Sequence, residues 1–332
     1  MQPLLDAAKN GEIERLRQLV DAKADVNVKD DNGRTGIVWA VNGGHAECVQ
    51  FLIDAGTDLD AKNRYGDTAL ILAAADRDNA CVQLLVDAKA DIYVPNTHGL
   101  SPLMLVTMAN RAAYAKRLVD ARVDLEAKDS RGCTALILAA IEGYADCVEL
   151  LINAKAYLDA KMTRHAESAL IAAARGGKSS CLQLLVDAKA DLEAHGNYGN
   201  TALIWAAFCD YTECAQLLIN AKANLETKNN QGFTALMMAA MNGNISSIRL
   251  LVNVNSALET VDNHGNTALI WAASQNNVEC TRLLLGANSD SLAQNCDGRT
   301  ALMFAAERAG KACVELLLRE SFAQRSVEGS AD

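Results

Sequence analysis

Ten cysteines, five histidines and one Gly-Lys-Ser run are the residues of this chain best suited to chemistry. Grouped thiols and imidazoles could hold zinc, paired thiols could cross-link, and a Gly-Lys-Ser run could end a phosphate-binding loop. None of these patterns is complete. The first glycine that a loop ending in Gly177-Lys178-Ser179 needs would fall at Ala172. Cys209 and Cys214 have no second Cys or His pair to complete a zinc set. His45, His98, His165, His195 and His264 are scattered over turns, and no nucleophile, base and acid can be grouped around them. Asn244-Ile245-Ser246 matches a glycosylation acceptor, which has meaning only in a secreted chain. No catalytic, cofactor or metal residue is assigned, and the chain is expected not to be an enzyme.

Spacing gives the cysteines another meaning. Cys48, Cys81, Cys147, Cys181, Cys214, Cys280 and Cys313 recur in one register, and Tyr114 and Ser247 fill that register elsewhere. Each stands just before a Val- or Leu-rich run. Equivalent residues of adjacent repeats lie about one packing layer, ~8–10 Å, apart. Disulfide Cα atoms sit about 4.4–6.8 Å apart. The register is therefore expected to hold small buried thiols. Unpaired thiols favour a reducing compartment, so the expected location is intracellular, in the cytoplasm.

That register belongs to a repeat that organises almost the whole chain. Near-copies of Thr-Ala-Leu start at Thr35, Thr68, Ser101, Thr134, Ser168, Thr201, Thr234, Thr267 and Thr300. Every step is 33 residues except the 34 between Thr134 and Ser168. The hydroxyl can cap a short first helix. An alanine pair, such as Ala73-Ala74, keeps that helix thin enough for neighbours to approach. A run such as Leu84-Leu85-Val86 gives a second helix its core face. An Asx/Gly turn then leads to the next copy. A fixed period of this length marks a solenoid, whose product is a long surface rather than one pocket.

The Thr-Ala-Leu, Ala-Ala and Leu-Leu-Val positions together resemble the ankyrin repeat, over roughly residues 4 to 320. The resemblance implies an all-α solenoid of about ten helix-turn-helix units joined by short β-hairpin fingers. The tenth unit is an N-terminal partial match that includes Leu4, Leu5, Ala7, Ala8, Gly11 and Leu16. Three departures stand out. The family's Thr-Pro-Leu-His becomes Thr-Ala-Leu followed by an apolar residue such as Ile71, Met237 or Val38, so packing must replace the histidine's hydrogen bonds. The glycine after the second helix is often a cation, at Lys23, Lys89, Arg122, Lys155, Lys189 and Lys222, though Gly56 keeps it. The finger before Ser168 carries the extra residue and no glycine, and is expected to bulge at Lys161–Glu167.

The unbroken repeat argues for one elongated domain, residues 1–320, followed by a polar C-terminal tail, 321–332, expected to be disordered. At about 8–10 Å per layer, ten repeats would span roughly 90 Å. Half of the residues are apolar, enough for a continuous core, yet no run is long enough to cross a membrane. The first residues, Met1 to Asp6, lack the regions of a signal peptide. A net charge of −10 disfavours nucleic acid as a ligand.

Ankyrin repeats generally bind proteins through finger tips and the exposed face of the first helix. The position late in that helix reads Asn42, Ala75, Met108, Ile141, Arg175, Phe208, Met241, Ser274 and Glu307. The finger position before the hydroxyl residue is apolar at Leu100, Cys133 and Phe233, and Tyr65 and Tyr198 add aromatic tips. Aligned apolar groups on a surface mark an interaction site. Tyr65, Leu100, Met108, Ile141, Tyr198, Phe208, Phe233 and Met241 are the expected partner-binding residues. Trp39, Trp205 and Trp271 share a first-helix slot with Leu72, Leu105 and Leu138 and are expected in the core. The chain is expected to be a monomeric scaffold that binds a protein partner from about Tyr65 to Met241, without cofactor or membrane insertion. Two other readings are a regulatory or substrate-recruiting subunit of an enzyme whose catalytic chain is separate, and an enzyme using the irregular Lys161–Ser180 region.

Overall fold

The computed structural model describes residues 2–76, 80–308 and 310–328. Among these residues there are twenty helices and no strand, with one isolated antiparallel bridge between Gln294 and Thr300. The helices form consecutive pairs. A short inner helix follows the repeat tripeptide, as Ala202–Phe208 does, and an outer helix such as Thr212–Asn220 returns behind it. The chain divides into two compact units, Met1–Arg164 and His165–Asp332. In the first, the inner helices Pro3–Asn10, Gly36–Asn42, Ala69–Ala75, Pro102–Met108 and Ala135–Glu142 stack in chain order. In the second, Ala169–Arg175, Ala202–Phe208, Ala235–Asn242, Ala268–Ser274 and Ala301–Glu307 do the same.

The local reasons follow the sequence. In eight of the nine copies the tripeptide hydroxyl accepts the N–H three residues on, as Thr267 does from Ile270 at 3.3 Å. Thr35, which precedes Gly36, makes no such bond. The alanine pairs, for example Ala206-Ala207, are fully buried between neighbouring inner helices. The apolar residue that replaces the family histidine is buried too, at Ile71, Ile137, Ile204 and Ile270. Its last copy, Met303, is 51% exposed, and no inner helix packs over it among the described residues.

The fingers are tight turns rather than paired strands. In most of them an Asx residue five before the hydroxyl accepts two backbone N–H groups on one oxygen. Asp129 Oδ1 takes those of Arg131 at 2.9 Å and Cys133 at 2.8 Å, and Asn229 Oδ1 takes those of Gln231 and Phe233. Each finger also bonds the next, as Asn230 N–H does to the Tyr198 carbonyl at 3.1 Å. These side-chain acceptors satisfy groups that a hairpin ladder would otherwise use.

The outer helices end as their sequences imply. Lys23, Lys89, Arg122, Lys155, Lys189 and Lys222 all have φ between 63° and 71°, the left-handed region. Gly56 occupies the same register at φ 78°. A side chain there costs about 1 kcal/mol, and a cation at a helix C-terminus returns about 0.3–1 kcal/mol. Lys155→Gly should therefore stabilise the chain by about 0.5 kcal/mol in denaturant titrations, and by more at high salt, where the cation's contribution is screened. A loss of stability would show that the cation, not the strain, governs this cap.

The extra residue of the 34-residue step falls at Arg164. Thr163 N–H bonds the Arg131 carbonyl, in register with the fingers before it, and Asn197 N–H bonds the His165 carbonyl, in register with those after it. Met162, buried, stands where other fingers have Asx, so it has no oxygen to accept the two N–H groups. Ala166 takes the glycine conformation at φ 49°. Hydrogen exchange at residues 163–166 should be faster than in the Asp129 and Asn229 fingers, and equal protection would contradict this reading. At the other end, the helix Lys311–Glu328 runs past residue 320, so the polar segment expected to be a disordered tail is helical through Glu328. Residues 329–332 lie outside the described residues.

Candidate functional site

The cysteine register lies in the core. All seven of its thiols are buried, no disulfide joins the ten cysteines, and no group of three or more His, Cys, Asp or Glu among the described residues could hold a metal. Burial first, and neighbouring carboxylates second, push Cys81, Cys214 and Cys280 up to about 11. A thiol reagent at neutral pH should modify the exposed Cys296 quickly and Cys81 or Cys214 only after denaturation. Because these folded-state values lie above the unfolded value of 9.0, the neutral thiols contribute stability that is complete below about pH 9. That contribution is lost as pH rises towards 11. The thermal midpoint should fall across this window, and less so in a variant with alanine at the three positions. Rapid labelling of native Cys81 would contradict the burial argument.

The fingers and inner helices of each unit share one face, and the expected partner-binding residues fall on it unevenly. In the first unit Tyr65 is exposed at a finger tip, and Leu100, Met108 and Ile141 are half-buried. In the second unit Tyr198 is 68% exposed, and Phe208 and Met241 are half-buried. Phe233 departs from the expectation. It is only 7% exposed, because Trp271 of the following repeat packs against it with ring centroids 5.2 Å apart. Cys133 of the same finger register is buried as well.

The tryptophans depart in the opposite sense. Trp39, Trp205 and Trp271 were expected in the core, yet all three are only half-buried, with part of each ring on this face. The signal was available: their slot lies three residues before the Phe208 slot, and residues three apart share a helix face. Trp205 and Phe208 meet edge to face at 5.6 Å. Trp271 Nε1–H donates to the buried Asp262 carboxylate at 2.9 Å.

Charges on this face are largely paired with each other. Arg34 bonds Asp30 at 2.9 Å and lies over the Trp39 ring at 3.9 Å. Arg175 pairs with Glu167 at 3.1 Å and approaches the Trp205 ring at 5.9 Å. Arg299 pairs with Glu307 and lies over Phe304 at 3.9 Å. Between these pairs the second unit presents a neutral, aromatic tract.

Helix pairs stacked in chain order within each unit define a helical repeat protein. A family model described as ankyrin repeats (3 copies) matches residues 4–96, 77–164, 155–229, 221–295 and 237–328. The chain belongs to the ankyrin repeat family. It is similar to the crystal structure of the ankyrin repeat domain of Bcl-3, described as a unique member of the IkappaB protein family. The identity is 28% and the TM-score 0.61, over 67% of this chain and 99% of that one. No curated protein matches the chain. Among the described residues no helix is long and apolar enough to cross a membrane.

Proposed function

We propose that this chain is a non-catalytic interaction protein that binds a protein partner through its fingers and inner helices. The observation that carries the reading is the partial exposure of large apolar side chains in one repeat register, Met108 and Ile141 in the first unit and Phe208 and Met241 in the second. Isolated apolar side chains on a surface need no explanation, but a row of them at a fixed helical position does. Exposed Tyr65 and Tyr198 add side chains of the type that interfaces favour. Buried thiols that form no disulfide support an intracellular setting.

Site-specific photocrosslinking tests this. A benzophenone side chain placed at Met108 or at Met241 should capture the same protein from a cell extract. The same group at Glu213, exposed on the outer helix Thr212–Asn220, should not. Equal capture from Glu213, or none from either groove position, would overturn the assignment of the binding face.

A further inference from the structure

Two repeats, the first and the last of the nine, set an arginine over an aromatic ring of the inner helix. Where the residue before the hydroxyl is arginine, its guanidinium covers the aromatic ring five positions on: Arg34 over Trp39 and Arg299 over Phe304, each at 3.9 Å. In the repeat of Trp271 that residue is Asn266. Beside it lies a cleft of about 240 Å³, lined by Asn266, Trp271 and Phe304, with Ser274, Glu307 and Arg308 at its rim. The cleft is smaller than the ~300 Å³ at which drug-sized sites begin, and suits one long side chain.

Resting on the reading that partners dock on this face, we infer that the Trp271 cleft receives an arginine side chain of the partner. Guanidinium groups stack on indole and phenyl faces, and this chain shows that geometry with its own arginines in the same register. The indole N–H is held by Asp262 and Phe233 packs against the ring at a 52° tilt, so the indole that lines the cleft is held in place. Trp271 and Phe304 both line the cleft, and Arg299 already covers Phe304 at 3.9 Å, which leaves Trp271 as the ring without a guanidinium. A chain of net charge −10 attracts a basic segment over distance. Arg308 is the opposing charge at the rim, and its removal is part of the test.

The probe is acetyl-Gly-Leu-Arg-Leu-Gly-amide, with norleucine, lysine and glutamate versions as comparators, titrated to about 10 mM against the full chain. The readout is the Trp271 indole N–H signal in two-dimensional NMR, assigned by Trp271→Phe. The arginine peptide should shift that signal and bind about fivefold more tightly than the norleucine peptide. Arg308→Gln should tighten it several-fold, and Glu307→Gln should weaken it. Asn266→Arg, which supplies the missing guanidinium in cis, should abolish the shift. The two rim variants keep the test sound if that buried substitution unfolds the chain. Binding by the norleucine peptide equal to arginine's, preference for glutamate lost in Arg308→Gln, or no shift with any peptide would each overturn the inference. Capture of a partner from Met241 together with a failed arginine titration would sink this inference alone, whereas loss of capture would sink the binding face itself.

Discussion

Replacing Asp262 by alanine should destabilise the chain by about 3–5 kcal/mol, the largest single-site loss expected on the groove side. The side chain is 6% exposed and holds a finger and an inner helix together. Its Oδ1 accepts the backbone N–H groups of His264 and Asn266, each at 2.8 Å. Its Oδ2 accepts the Asn266 carboxamide at 3.2 Å and Trp271 Nε1–H at 2.9 Å. Alanine leaves these donors without an acceptor, at about 1–3 kcal/mol for each buried one. Asp262→Asn should cost much less, because Asn63, Asn96, Asn229 and Asn295 build equivalent fingers with a carboxamide oxygen. What it would lose is the Oδ2 acceptor shared by Trp271 Nε1–H and the Asn266 carboxamide. Urea titrations of the two variants decide this, and a loss under about 1 kcal/mol for the alanine variant would show that the finger does not depend on the Asx acceptor.

Phe208→Ala should weaken partner binding by about 2 kcal/mol, some thirtyfold, while costing less in folding. The ring is half-buried and meets Trp205 edge to face, so part of its area is already in contact and part is free for a partner. The backbone work at this position survives truncation. The Phe208 carbonyl accepts the carboxamides of Asn242 at 3.1 Å and Asn244 at 2.7 Å, neither of which needs the side chain. Calorimetry with an isolated partner, run beside thermal unfolding, separates the two effects. Unchanged affinity with a large loss of stability would place Phe208 in the core.

The parts of the fold that repeat at a fixed spacing were legible in the sequence. A hydroxyl before an alanine-rich run signals a cap, and the structure shows that bond at Thr68 and Thr267. Seven cysteines in one register read as core because one register has one environment, and they are buried. Lysine at the glycine position implied a left-handed cap, and Lys155 has φ 69°. The face itself was harder to read, because exposure depends on what the next repeat brings. Phe233 looked like a finger-tip contact until Trp271 covered it, and the tryptophans looked like core because their slot holds leucine elsewhere. Leu138, in that same slot, is in fact buried. Leu72 and Leu105, however, are half-buried as the tryptophans are, so the slot itself lies at the edge of the core. The fingers, read as short β-hairpins by resemblance, carry a backbone bond across the turn, as from Asp129 N–H to the Cys133 carbonyl, and Asx acceptors add to it.

Hydrogen exchange of the chain with and without its isolated partner tests the binding face most directly. Slowed exchange should appear in the fingers and at the C-terminal ends of inner helices such as Pro102–Met108, Ala202–Phe208 and Ala235–Asn242. Outer helices such as Thr212–Asn220 should be unchanged. Protection confined to the outer helices, with the fingers and inner helices exchanging as in the free chain, would contradict the account.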